Sequence, residues 1–303
     1  MLETLDHVIL AVQNLETATR QYARLLGRSP SWRGSHPHQG TANTLFRLEN
    51  TYLELLSPEG AGAVGRAVES FLDTRGDGLV GLAFGTNDAD ICRSWLLDRG
   101  LSPGPVEKGL GRDLESGAFR AWRRVPLPTS QTRGVVLFAI EHASANAMLP
   151  PAPPAGAEAA SVFALDHAVI RTVDPEAARV LYGDQMGLRL ALDRSFPQWG
   201  ARLLFFRVGG ITVEIAAPLP GEGDEAPVPS EGTPEPGRDH LWGLSWRVAN
   251  ADAARERLAE DGFDPSDVRD GRKPGTRVFS VPDGTCGIPT LMIEPRAPAP
   301  VVG

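Results

Sequence analysis

The sequence predicts an α+β protein built by internal duplication, with four βαβββ units in one chain. Three observations predict it. Motifs recur at one displacement of 160 residues: Leu5-Asp6-His7-Val8-Ile9 returns as Leu165-Asp166-His167-Ala168-Val169, Leu45-Phe46-Arg47 as Phe205-Phe206-Arg207, and Leu53-Glu54-Leu55 as Val213-Glu214-Ile215. A fixed period across three motifs is the mark of a repeat. Between the copies runs Met148-Leu149-Pro150-Pro151-Ala152-Pro153-Pro154-Ala155-Gly156-Ala157, too proline-rich for a helix interior or central strand. Finally, within each copy the same order of strand-like and helix-like segments occurs twice.

Taken in order, a strand is expected over 5–12 and a helix over 15–26. In that helix Leu15, Ala18, Tyr22 and Leu25 recur at spacings of three and four, which makes one apolar face. Strands follow near 44–48 and 52–56, rich in β-branched and large apolar residues. The order then repeats, with a strand over 79–84, a helix over 89–97 and strands ending at 135–141. Downstream it recurs as a strand over 244–248, a helix over 251–258 with Asn250 as its cap and Asp252 in its first turn, and strands over 277–281 and 290–294. The segment from 218 to 237, dense in Pro, Gly and acidic residues, reads as a long surface loop. These boundaries give an N-terminal domain over 1–147, a linker over 148–160 and a C-terminal domain over 161–297.

The bulk properties narrow the function. A chain of 303 residues accommodates two domains of about 150 residues, each able to bury a core. A net charge of -8 without a basic cluster disfavours nucleic acid as a partner. Cys92 and Cys286 lie far apart and lack a CxxC partner, so zinc-finger and thioredoxin readings fail and reduced thiols are expected. The first residues carry no signal-peptide pattern, and no stretch approaches the roughly 18 apolar residues of a membrane span. A soluble cytoplasmic protein, monomer or homodimer, acting on a small molecule is the expectation.

A strand opening with Leu-Asp-His, an amphipathic helix, and a later strand carrying an apolar-Glu-apolar triplet together resemble the vicinal oxygen chelate superfamily. The stretch from His36 to Pro58, with Gly40-Thr41, Leu45-Phe46-Arg47 and Tyr52-Leu53-Glu54-Leu55-Leu56, is similar to its glyoxalase-like domains. The resemblance implies that the four units form two cup-shaped mixed β-sheet domains. It also implies a divalent metal (Zn, Ni, Mn or Fe(II)), held by residues projecting inward from the first, fourth, fifth and eighth strand of each half. Carried over, the ligand positions are His7, Glu54 and Glu141 in the first half and His167, Glu214 and Glu294 in the second. At the fifth strand, where the superfamily pattern has histidine, this chain has glycine in both halves: Gly81 in Gly81-Leu82-Ala83-Phe84 and Gly243 in Gly243-Leu244-Ser245-Trp246. His240, three residues before the second of these, reaches the site only through a bulge or bend.

Each candidate has a structural alternative. His7 and His167 are either ligands or buried strand histidines bonded to carbonyls or to Glu54 and Glu214. A carboxylate on an otherwise apolar strand is costly unless paired, hydrogen-bonded or metal-bound. Arg47 and Arg207 either clamp a substrate carboxylate or pair with Glu54 and Glu214. His36, His38 and His142 have no duplicated counterpart and read as surface residues. Three functions follow. In a glyoxalase-type lyase or isomerase the metal polarises a carbonyl, and Glu294 or Glu214 removes a neighbouring proton. In an extradiol-type Fe(II) dioxygenase His167, His240 and Glu294 bind the iron. In a metal-free binding protein a cup sequesters a small molecule. Ligation is expected in the second half rather than the first.

Overall fold

The computed structural model describes residues 1–145, 148–219 and 237–295; most of the loop expected over 218–237 lies outside them. The first half runs β1 (Thr4–Ala11), α1 (Leu15–Leu26), β2 (Trp32–His36), β3 (Thr41–Arg47), β4 (Tyr52–Pro58), α2 (Ala63–Arg75), β5 (Gly78–Gly85), α3 (Ala89–Asp98), β6 (Glu107–Asp113), β7 (Phe119–Pro126) and β8 (Val136–His142). The second runs β9 (Val162–Arg171), α4 (Pro175–Arg179, prolonged by a π-helical turn over Val180–Gln185), β10 (Arg189–Phe196), β11 (Ala201–Val208), β12 (Ile211–Pro218), β13 (His240–Val248), α5 (Ala251–Glu260), β14 (Arg269–Asp270), β15 (Arg277–Val281) and β16 (Thr290–Glu294). The four βαβββ units are present, two to each half.

Local chemistry accounts for the helix starts. Asn14, Asp88, Asp174 and Asn250 each accept from a backbone N–H in the first turn of α1, α3, α4 and α5, satisfying donors that a helix leaves unpaired. The helix α2 has no such cap. It is seated by backbone packing instead: a Cβ on Gly65 would fall 2.2 Å from the Gly40 carbonyl oxygen, and one on Gly62 2.1 Å from Gln39. The two glycines let α2 approach the β2–β3 turn so closely that Gly65 N–H donates to the Gln39 carbonyl at 2.8 Å.

The halves differ in closure. The first is a closed barrel in the order β1-β4-β3-β2-β6-β7-β8-β5, whereas the second is an open eight-stranded sheet, β10-β11-β12-β9-β13-β16-β15-β14. In the barrel β2 meets β6 through the pairs Gly34–Asp113 and Ser35–Arg112. In the sheet the matching strands do not pair: β14 has two residues and β10 stays an edge whose residues are mostly exposed.

One apolar core runs through both halves and includes Val8, Tyr22, Phe46 and Phe84 with Leu165, Phe206, Trp246 and Phe279. The connector is part of this joint. Buried Arg28 donates to the carbonyls of Val162 and Ala152 and pairs with Glu158, and Tyr22 Oη donates to the Thr285 carbonyl at 3.0 Å. Cys92 is buried, Cys286 half-buried, and both are free thiols. Among the described residues no helix is long and apolar enough to cross a membrane.

Candidate active site

Strand alternation decides which side chains enter the barrel. On β1, Val8 and Leu10 face the helices while His7 and Ile9 face inward. On β4 the inward residues are Tyr52, Glu54 and Leu56, and on β8 they are Phe138, Ile140 and His142. They enclose a cavity of about 480 Å³, which also takes in Trp32, His36, Asn43, Arg120, Trp122 and Arg124 and is of the size typical of small-molecule sites. One end, beneath α2, is apolar, with Ile9, Leu56 and Val68 packed against Val64, Phe71 and Phe138. At the other end Tyr52, Arg120 and His142 also line a second, more polar pocket of about 390 Å³ that contains Asp6 and Arg47.

His7 sits midway and is buried. Its ring stacks on Tyr52 at 4.5 Å between centroids and meets the edge of Phe138 at 5.6 Å. Nδ1 lies 2.7 Å from Asp6 Oδ1, and Nε2 lies 3.5 Å from Glu54 Oε2. Glu54 is held by Asn43, whose Nδ2 donates to Oε1 at 2.7 Å. The second oxygen of Asp6 lies 2.9 Å from His142 Nε2. A chain His142–Asp6–His7–Glu54 thus runs from the polar pocket into the barrel. Burial works against charge on Asp6, yet hydrogen bonds from His142 and His7 hold its carboxyl well below the usual carboxylate range. With Asp6 ionised, His7 Nδ1 is the donor on that side. Nε2 is therefore the ring nitrogen that faces the Glu54 carboxylate inside the cavity, 3.5 Å away.

The second half repeats the centre with one difference. His167 Nδ1 lies 3.0 Å from Asp166 and Nε2 3.6 Å from Glu214, but Ser245 Oγ stands 2.7 Å from Nε2. Burial alone lowers the proton affinity of His167; the Asp166 hydrogen bond and the charges of Glu214 and Asp166 outweigh it and raise it. Burial raises Glu214 as well. Arg247 anchors Asp166 at 2.7 Å. The nitrogen that faces the cavity in the first half is therefore already engaged here.

Several expected site residues stand elsewhere. Glu141 and Glu294 are one place out of phase with the inward positions and lie on the helix face. Glu141 accepts from Ala89 N at the start of α3 (2.9 Å) and pairs with Arg123 at 3.2 Å. Glu294 accepts from Ala251 N at the start of α5 (2.8 Å), with Arg277 at 3.7 Å. Both serve helix starts, so the structure does not bring them together with His7 or His167. His240 pairs in register with Arg171 while His167 pairs with Ser245, about 16 Å away along β13 at strand spacing. It contacts Arg75 at 3.1 Å instead, and the bulge after Leu241 does not bring it back. Neither duplicated arginine is the partner of its glutamate. Arg47 stands across from Tyr52 and donates to the Leu149 carbonyl; Arg207 stands across from Thr212, and its charge disfavours protonation of His167.

The histidines read as surface residues divide. His38 is exposed, but His36 is buried in the cavity wall, 3.1 Å from Thr41 Oγ1 and edge-on to Trp122. Burial, helped by Arg120 and Arg124 and opposed by Glu54, lowers its proton affinity. His142 bonds Asp6. Arg120, Asn43, Trp32 and Trp122 are site residues that the duplicated motifs could not disclose, because none is duplicated.

The residues present do not fit a resident divalent ion. In the first half two donors, His7 Nε2 and Glu54, face one point, and the neighbouring inward positions carry Gly81, Ala83 and Phe138. Among the described residues no group of three or more His, Cys, Asp or Glu side chains is arranged to hold a metal, where known catalytic sites use at least three. Among the described residues the two inward positions on β5, a glycine and an alanine, add no donor to the shell.

Comparison with known proteins agrees with the architecture. Residues 5–163 match the model of a glyoxalase-like domain, and residues 166–279 match that of the glyoxalase/bleomycin resistance protein/dioxygenase superfamily. An ethylmalonyl-CoA/methylmalonyl-CoA epimerase from Cereibacter sphaeroides is 38% identical over 63 residues, 21% of this chain and 47% of that protein, so the chain spans about half the length of this curated relative. Among solved structures, a mutant of 4-hydroxymandelate synthase from Streptomyces coelicolor superposes with a TM-score of 0.64 at 14% identity, over 96% of this chain and 92% of the other. A hypothetical protein from Staphylococcus aureus gives 0.63 at 11% identity, over 96% and 99%. At these identities the structural matches show the fold alone.

Proposed function

The chain belongs to the vicinal oxygen chelate superfamily, and on that premise we propose that its N-terminal barrel is the working half, taking up a small, largely apolar organic molecule and moving a proton on it through His7 and Glu54. The observation that carries this reading is the Asp6–His7–Glu54 series ending inside the cavity, with Nε2 3.5 Å from the carboxylate. An imidazole nitrogen and a carboxylate facing one another at the centre of an apolar site are what proton abstraction next to a carbonyl needs. Asp6 fixes the ring orientation, Asn43 fixes Glu54, and α2 keeps water from the apolar end. Similarity to an epimerase over 63 residues points to the same class of chemistry. Because the donors do not suit a metal, no step is assigned to one.

A second reading, sequestration without turnover, is favoured by the largely apolar wall beneath α2. Proton exchange separates the two. Loss of C–H signals next to the carbonyl of a panel of ketones and 2-oxo acids is followed by NMR in D2O. The wild-type protein is expected to accelerate exchange for part of the panel. His7→Gln slows it by about 10²–10⁴-fold, the usual share of a general acid–base group, while His167→Gln leaves it unchanged. Exchange lost in His167→Gln and kept in His7→Gln would move the site to the second half. Compounds that bind without exchanging would support sequestration.

A further inference from the structure

We propose that Arg120 makes the barrel a site for amphipathic carboxylic acids, bound with the carboxylate at the Arg120 end and the apolar body beneath α2. This rests on the barrel being the working half and adds the class of molecule it takes. Arg120 is 9% exposed and projects from β7 into the cavity wall. Its guanidinium carbon lies 5.6 Å from the centroids of both Trp32 and Tyr52. Among the described residues no carboxylate lies within ion-pair distance of it; it meets those aromatic faces and the Tyr52 hydroxyl, both neutral. The other arginine of the cavity differs: Arg124 is already paired with Glu107 at 2.6 Å.

A guanidinium removed from water and left without an anion is costly, and aromatic faces offset only part of that cost. A ligand carboxylate supplies the missing partner, and the planar fork of arginine suits it in bidentate geometry. The cavity carries a second unmet need, since Asn43 Oδ1 is buried without a donor. It suits a hydroxyl or N–H on the ligand beside Glu54. The layers then set the order along the molecule: anion at Arg120 and Tyr52, reacting carbon at His7 and Glu54, apolar tail against Ile9, Val68 and Phe71.

Matched probes test this, namely octanoate and octanamide, with binding measured by calorimetry on the full chain. Wild-type protein is expected to bind octanoate about tenfold to a hundredfold more tightly than octanamide, the worth of a charge-assisted pair. Arg120→Met is expected to lose that preference while still binding octanamide. Arg120→Lys, which keeps the charge without the fork, gives an intermediate preference and serves if the methionine variant does not fold. Equal affinity of the two probes for wild type, or an undiminished carboxylate preference in the variants, overturns the Arg120 assignment and leaves the barrel as the site. Binding of neither probe overturns the assignment and the barrel reading together.

Discussion

Replacing Glu54 by Gln is expected to slow carbonyl-adjacent proton exchange by about 10²–10⁴-fold while changing octanoate affinity little. The two side chains have nearly the same shape, and Asn43 Nδ2 still finds an oxygen to donate to where it now meets Oε1 at 2.7 Å. The variant loses the base across from His7 Nε2, 3.5 Å away. Arg120 and the apolar end are untouched, so binding and proton transfer separate. Equal losses in both would mean that Glu54 holds the ligand and moves no proton. The corresponding change in the second half, Glu214→Gln, removes a carboxylate that faces a histidine nitrogen already held by Ser245, and exchange is expected to continue at the wild-type rate.

Trp246→Ala is expected to lower the stability of the entire chain by about 3–5 kcal/mol, read from urea unfolding followed by circular dichroism. Trp246 is fully buried on the helix face of β13, in the core cluster that also contains Val8 and Phe46 of the first half. Its Nε1 has no hydrogen-bond partner, so truncation removes packing without stranding a polar group, and the cost is one of cavity and lost contact. Because Arg28, Tyr22 and Arg257 tie the halves by hydrogen bonds, the transition is expected to shift as one. A variant in which the barrel unfolds at its wild-type midpoint would show two independent cores.

The fold was legible because duplication amplified it. The strands carrying His7 and His167, the helix over 15–26, and the strands over 277–281 and 290–294 all follow from period and pairing. What went unread was the element that closes the cavity. Residues 63–75 form α2, and Val64, Val68, Phe71 and Leu72 recur at helical spacing, so a signal was present in the sequence. The hairpin of β6 and β7 is harder to read. Its residues are mostly half-buried or exposed, which blurs the two-residue period, and with it went Arg120 and Trp122.

The site was legible in part for a related reason. His7 and Glu54 share a strand face with apolar neighbours, so their convergence could be read from alternation alone. Glu141 and Glu294 were placed in the site by analogy of strand order. One residue of phase on β8 and β16 turns them to the helix side, where Ala89 and Ala251 N–H groups need acceptors. Nor could the sequence disclose that β2 pairs with β6 and closes the first half, while β10 and the two-residue β14 remain edges of the second. That difference in closure is what favours the first half in the proposed function, where the sequence pointed to the second.

The most direct test of the central claim, that the N-terminal barrel is the working site, is a crystal structure of the protein grown with octanoate. The account predicts density within the barrel, the carboxylate about 3 Å from Arg120 nitrogens, and the chain passing His7 and Glu54 to end beneath α2. Octanoate seated beside His167 and Glu214, with only water in the barrel, would contradict it.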